Sequence, residues 1–365
     1  MRIPSSRISG ARRDQRVVEV NNVNRIHLSI VVLCFFGAFV VSKGTDSGFV
    51  ESLARADVKQ AGSTPLPEQS FMMAKDKLGK ALYLAGDLAG DRVILVGERG
   101  LVLLSTDRGN NFSQVAAPTR RLLSDIELRD DGVAIAVGHE STVLRSADSG
   151  QNWQVVHHDP DQDLALFSVA DAGDGNWVAV GAFGLVLISR DDGKTWSQRL
   201  ISEDGPHLYS VKAHSEGLVT VGEFGALFSS KDLGESWKLL PSPYDGTLFD
   251  ILITRDRWIL MGLRGNLWEG NASAWQQIDH GSEATLFGGA LLTDDVVVVV
   301  GAEGVTLIRS PETGEWRHRL VLEEDRRLLS APLPLLDNSV LGLGEKGYRF
   351  IFGHGKSGSA EGEGR

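Results

Sequence analysis

From about residue 81 onward the chain alternates short runs of Val, Ile and Leu with polar, glycine-rich breaks. One kind of run ends in a glycine, two variable residues and a second glycine. It recurs as ILVGERG, AIAVGHES, VAVGAFG, VTVGEFG, ILMGLRG, VVVGAEG and LGLGEKG, with first glycines at Gly97, Gly138, Gly181, Gly222, Gly262, Gly301 and Gly344. Their spacings are 41, 43, 41, 40, 39 and 43 residues, a single period carried seven times. Ahead of each lies another run: ALYLAGDL, LLSDIELR, ALFSVADA, HLYSVKAH, TLFDILIT, TLFGGALL and LLSAPLPL. After each comes a third run, such as LVLIS, and then a stretch that closes on an aromatic residue. Every unit therefore reads as four short strands, and a repeat of about 40 residues with four strands is one propeller blade. The pattern predicts an all-β protein, a seven-bladed β-propeller over residues 77–353.

The turn before the fourth strand carries its own signature. It reads STDRGNNF (105–112), SADSGQNW (146–153), SRDDGKTW (189–196) and SKDLGESW (230–237). A carboxylate at the third position can accept backbone N–H groups from the turn ahead of it, the glycine supplies a left-handed conformation, and the aromatic ring packs on a neighbouring blade. Asp107, Asp148, Asp191 and Asp232 are accordingly structural, as are Trp153, Trp196 and Trp237. A catalytic acid would be needed once or twice, not once per blade. The copies decay: GNASAW (270–275) lacks the acid, and SPETGEW (310–316) uses Glu312 before Trp316 and drops a residue. Blade one ends in Phe112, and blade two has Ser141 in place of the second turn glycine. The G-x-x-G stretches read as two-residue hairpin turns whose glycines supply positive φ.

The ends of the chain differ from the repeat. Blade seven stops near Phe352 without a fourth strand, and the Gly/Ser-rich tail 354–365 is expected to be disordered. The spare segment is 45–76, a linker, and part of residues 55–74 is expected to pair with the last blade and close the ring. Residues 28–41, LSIVVLCFFGAFVV, form an uncharged apolar run after a basic stretch. That pattern predicts an export signal or short membrane anchor over residues 1–44. The chain beyond residue 44 is then exported, to the periplasm or the periplasmic face of the inner membrane. Net charge is −11; outside residues 1–44 the chain carries 30 Lys/Arg against 46 Asp/Glu. Such acidity excludes a nucleic-acid partner. The single Cys34 permits no intrachain disulfide and no Cys-based zinc site.

The repeat, I-x-V-G-x-x-G followed by L-x-S-x-D-x-G-x-x-W, resembles the bacterial neuraminidase (Asp-box) repeat superfamily. Within it, the chain is similar to the photosystem II assembly and stability factor family and to its non-photosynthetic proteobacterial relatives. The likeness covers residues 77–353. It implies a non-catalytic exported scaffold without a cofactor, binding a membrane-protein client. In photosynthetic members that client is a reaction-centre precursor met by a basic patch. The proteobacterial relatives are associated with RND-type exporters, which suits an acidic propeller better.

If the Asp-box turns mark one face, the G-x-x-G turns project from the other. Their tips make a candidate client-binding rim: Glu98, Arg99, His139, Glu140, Phe183, Glu223, Phe224, Arg264, Glu303, Glu345 and Lys346, with Phe183 and Phe224 as apolar anchors. The alternative is a sialidase-like or other glycoside hydrolase. A sialidase needs an arginine cluster, a Tyr nucleophile and a paired acid, and Tyr83, Tyr209, Tyr244 and Tyr348 are the tyrosines available. The adjacent pair His157-His158 is a poor metal site, because neighbours on a strand face opposite ways.

Overall fold

The computed structural model describes residues 69–202, 205–271, 274–319 and 326–353. The export segment at 1–44, residues 55–68 of the expected closing strand and the tail at 354–365 lie outside these residues. Among the described residues no helix is long and apolar enough to cross a membrane.

Seven antiparallel sheets succeed one another, each with its strands in sequence order. Blade one consists of Tyr83–Ala89, Arg92–Gly97, Val102–Ser105 and Ser113–Val115. The first strand of each blade lies innermost; these are Tyr83–Ala89, Leu123–Leu128, Leu166–Gly173, Leu208–His214, Leu248–Ile253, Leu286–Leu291 and Leu329–Pro334. Each packs beside the inner strands of the two neighbouring blades, the last against the first. The all-β seven-bladed architecture read from the period is the one observed.

Burial explains the sequence pattern. The second strand of each blade is covered on both faces by adjacent blades, so Val93, Ile94, Leu95 and Val96 are all buried and no polar alternation survives. The core is divided into seven clusters, one at each blade–blade junction. One of them closes the ring: Tyr83, Leu95 and Leu103 of blade one pack with Leu333, Leu341 and Leu343 of blade seven. Polar stitches reinforce it. The Ser330 hydroxyl donates to the Tyr83 carbonyl at 2.8 Å, and the Gly347 N–H donates to the Ala81 carbonyl at 2.8 Å. Phe112, the odd aromatic of blade one, packs in a tilted arrangement against Tyr348 of blade seven, with ring centroids 4.8 Å apart.

Blade seven has three strands among the described residues, Leu329–Pro334, Val340–Gly344 and Gly347–Phe352. The described end of the segment 55–74 lies beside blade one. The Ser70 N–H donates to the Ala117 carbonyl at 2.8 Å, and the Met73 N–H donates to the Gln114 side chain at 2.7 Å. A short helix, Lys75–Leu78, then delivers Leu78 into the blade one–blade seven cluster.

The Asp-box turns are stitches of uniform construction. In blade three the Ser189 hydroxyl donates to Asp191 at 2.9 Å and accepts the Gly193 N–H at 3.0 Å. Asp191 also accepts the Thr195 N–H at 2.8 Å and the Thr195 hydroxyl at 2.7 Å. The Trp196 indole donates to the Gly193 carbonyl at 3.1 Å. The same serine and backbone bonds recur around Asp148 and Asp232. The glycine touches the preceding blade: a Cβ on Gly193 would lie 2.5 Å from Ile135, and one on Gly150 2.5 Å from Ile94. Glu312 in blade six bonds to Ser310 at 2.7 Å, in keeping with the shortened turn.

Candidate functional site

Strand register places the G-x-x-G turns and the Asp-box turns at opposite ends of each blade. Tyr83 pairs with Gly97 at one end, and Ala89 with Arg92 at the other. The G-x-x-G turn differs from the sequence reading by one residue. Its two central positions are the second variable residue and the second glycine, as in Arg99 (φ 55°) and Gly100 (φ 69°). The bond closing it runs from the Leu101 N–H to the Glu98 carbonyl at 3.0 Å. Two successive residues with positive φ make a type I′ turn, whose twist matches the flanking strands.

The first glycine serves a different need. It is extended, and a Cβ there would lie 2.0–2.6 Å from the carbonyl oxygen just before the inner strand in all seven blades. That approach lets the next residue donate its N–H to the same carbonyl, as Glu98 does to Leu82, Ala182 to Ala165 and Glu223 to His207. In blade two Ser141 takes the second-glycine position at φ 50° and is held by its N–H and hydroxyl on the Leu164 carbonyl.

The turn geometry sorts the eleven rim residues. First-position side chains fold inward. Glu98 accepts the Leu82 N–H at 3.1 Å. Glu223 is buried, accepting the His207 N–H at 3.3 Å and the Tyr209 hydroxyl at 3.4 Å. Glu345 is less exposed than Lys346 beside it, and His139 is half-buried. Second-position side chains point out: Arg99, Phe183, Phe224, Arg264, Glu303 and Lys346 are exposed. Glu140 is half-buried instead, held by Arg121 at 2.7 Å and facing His158 at 3.6 Å. Phe183 is 49% and Phe224 79% exposed.

Behind Phe183 lies an aromatic arc that the sequence reading missed. Phe167, Tyr209, Phe249 and Phe287 occupy the second position of four consecutive inner strands, with ring centroids 5.2, 5.1 and 5.2 Å apart. Their signal was visible in the stretches ALFS, HLYS, TLFD and TLFG. His207 joins Phe183 to the arc, 4.6 Å from the Phe183 ring and 6.1 Å from Phe167. The His207 Nδ1 accepts the Phe183 N–H at 3.0 Å, so the ring proton sits on Nε2, facing Glu223 at 4.0 Å. Burial lowers the pKa of His207, with Glu223 opposing it.

Further along the inner strands lies a charged cluster. Lys212 faces Asp250 at 4.0 Å and is also held protonated by Asp125, Glu127 and Asp87, against the effect of burial. These carboxylates tie blades together. Asp125 accepts the Ser168 hydroxyl at 2.8 Å and the Val169 N–H at 3.0 Å. Asp250 accepts the Ser210 hydroxyl at 2.7 Å and the Gly289 N–H at 3.1 Å. Asp87 accepts the Leu128 N–H at 2.6 Å. Burial pushes Asp87 up to about 6, and burial together with Asp87 pushes Glu127 up to about 8.

The buried tyrosines do not fit a sialidase nucleophile. Tyr83 and Tyr209 are buried, and burial raises both hydroxyls, the reverse of what a nucleophile needs. Among the described residues no three His, Cys, Asp or Glu side chains are grouped as a metal would require. A cavity of about 260 Å³ between blades seven and one, lined by Arg108, Asn110, Leu335, Leu336, Asp337 and Phe350, holds one carboxylate.

The fold and its repeated turns define an Asp-box propeller of seven blades. The family model for photosynthesis system II assembly factor YCF48 matches residues 106–288, half of the chain. The protein belongs to that family. Solved structures agree on the fold. "YCF48 bound to D1 peptide" is 17% identical with a TM-score of 0.62, covering 78% of this chain and 97% of that one. YCF48 from Cyanidioschyzon merolae is 17% identical with a TM-score of 0.62, covering 77% and 97%. The WD40 propeller domain of Doa1 superposes as well, at 13% identity and a TM-score of 0.63, covering 80% and 97%. A search of curated protein sequences returned no match.

Proposed function

We propose that the protein is an exported, non-catalytic scaffold that grips a segment of a membrane-protein client on its G-x-x-G face. One observation carries the reading. Phe183 and Phe224 stand exposed on adjacent blades at positive-φ positions. There they gain little from burial and hold a backbone conformation unfavourable for an aromatic residue. Exposed aromatics in contiguous positions are the usual anchors of a protein interface. The assembly-factor family supports a binding role, and the D1-peptide complex of YCF48 supports peptide recognition by this fold. The apolar run and basic flank at the amino terminus support export, to the periplasm or the periplasmic face of the inner membrane. An RND-type exporter is the client class that suits an acidic exported propeller.

The test is affinity capture from solubilised cell envelope, comparing the full chain with Phe183→Ala/Phe224→Ala. A membrane protein retained by the first and lost by the second supports the reading. Equal recovery removes the site from this face. Absence of any membrane protein, with hydrolysis of a glycan panel, would favour the glycosidase alternative instead.

A further inference from the structure

Exposed apolar side chains gather at one end of blades three and four. Among the described residues seven large hydrophobic side chains are exposed, and four of them, Phe183, Leu200, Phe224 and Leu239, belong to these two blades. Leu200 and Leu239 are 46% and 63% exposed. Each lies near the G-x-x-G end of its outer strand. Leu200 pairs with Leu185, the residue after the blade-three turn, and the Ile201 N–H donates to the Gly184 carbonyl at 2.9 Å. Leu239 pairs with Phe228, and the Leu240 N–H donates to the Leu227 carbonyl at 2.8 Å. Apolar side chains are thus exposed both at the turn tips and on the outer strands of these two blades.

Acidic residues flank it on both sides. Asp161 and Asp163 are exposed in the connection that enters blade three, where the Gln162 side chain reaches Gln198 of the outer strand at 3.5 Å. Asp245 is exposed in the connection after blade four, beside the Gly246 carbonyl that accepts the Gly225 N–H at 2.8 Å. Of the nearby cations, Arg199 is already engaged by Glu235 at 3.3 Å, and Lys238 lies on the opposite face of its strand from Leu239.

We propose that this sector receives an apolar protein segment flanked by Lys or Arg, as found at the boundary of a membrane-spanning stretch. The four apolar side chains take the segment's apolar residues, and Asp161, Asp163 and Asp245 take its cations. The acidic flanks disfavour an anionic bilayer surface, which would be repelled. The inference rests on the client-binding reading and extends it to Leu200 and Leu239, outside the turns.

A fluorescent peptide of Leu and Phe between pairs of Lys, and a twin with Glu for Lys, would be titrated against the full chain by anisotropy. The Lys peptide binds, the Glu twin binds about tenfold more weakly or worse, and added salt narrows the gap. Leu200→Ser/Leu239→Ser weakens the Lys peptide about tenfold with an unchanged thermal melt, since both side chains are exposed. Unchanged binding by that variant overturns the inference, and the rim reading survives if Phe183→Ala/Phe224→Ala still loses the peptide. Loss by neither variant sinks both readings. Equal binding of the two peptides, or no binding of either, also overturns the inference. So does pelleting of the wild type, but not the Leu variant, with phosphatidylcholine–phosphatidylglycerol vesicles.

Discussion

Asp191 shows how much a single side chain does in this protein. Its carboxylate accepts an N–H and two hydroxyls within one turn, leaving little for a reactive role. Asp191→Ala should lower stability by about 1–2 kcal/mol, the scale of a lost cap in a tight turn. Urea unfolding checks this, and Asp191→Asn should recover part of the loss. Asp107 displays the same chemistry in its titration. Hydrogen bonds from the Asn111 side chain, the Ser105 hydroxyl and the Asn111 N–H hold its carboxyl down at about 2. The rim residues behave differently. Phe224→Gly relieves an aromatic residue from a left-handed conformation and removes no buried contact area of consequence. Its unfolding free energy from urea titration should stay level or rise by up to about 1 kcal/mol, while client capture falls. A clear loss of stability would show that Phe224 is structural after all.

At the scale of the element, the unit of construction is the blade junction. Each blade buries its second strand only because a neighbour covers it, so no blade holds a core of its own. The blade one–blade seven junction carries the constraint of closure. Leu343→Ala removes a fully buried side chain from it and should cost about 2–5 kcal/mol. Because the junctions form a ring, this loss should appear as one earlier transition in calorimetry. A separate low-temperature step for blades one and seven would show that closure is dispensable to the rest. Gly181→Ala tests the turn in the same way. The added Cβ would meet the Ala165 carbonyl oxygen at 2.1 Å, forcing the turn off the inner strand at about 1–3 kcal/mol.

For the whole molecule, the inner-strand charges make one contribution to the pH response, opposed by the buried histidines. Burial, and the charges of neighbouring acids, hold Asp87 and Glu127 above their ordinary values of 3.8 and 4.5 in the folded chain. At these two sites the folded state therefore binds protons that the unfolded state has released, so their contribution to stability falls as pH rises above the ordinary carboxylate range. The urea midpoint of the wild type should fall more from pH 5 to pH 8 than that of Asp87→Asn/Glu127→Gln, a comparison in which the opposing contribution of His157, His207 and His214, all lowered by burial, is common to both. Lys212→Met withdraws the ammonium that faces these acids, so its loss of stability should be larger at pH 8 than at pH 5. An equal loss at both values would mean that the acids are neutralised in another way.

The sequence by itself determined the blade count, the strand order within a blade and the positions of the Asp-box turns. All three rest on local chemistry repeated at a fixed period: apolar runs of strand length, turns that demand glycine, and a carboxylate within reach of its own turn. The partner of that carboxylate, the residue before the aromatic (Thr195 in blade three), varies among Asn, Thr and Ser and so left no fixed letter to read. The G-x-x-G register slipped by one residue because both glycines look alike in sequence. Only contact with the carbonyl before the inner strand shows that the first serves close approach and the second positive φ. The rim was legible as a set of tips, but which tips face outward was decided by whether a side chain turned back to bond the backbone, as Glu98 and Glu223 do. The Lys212 cluster needed the tertiary structure altogether, and the repeated aromatic of ALFS, HLYS, TLFD and TLFG carried no sign that the four rings meet. Residues about 40 positions apart become neighbours only when consecutive inner strands converge on one axis, and no local pattern records which of their alternating side chains face it.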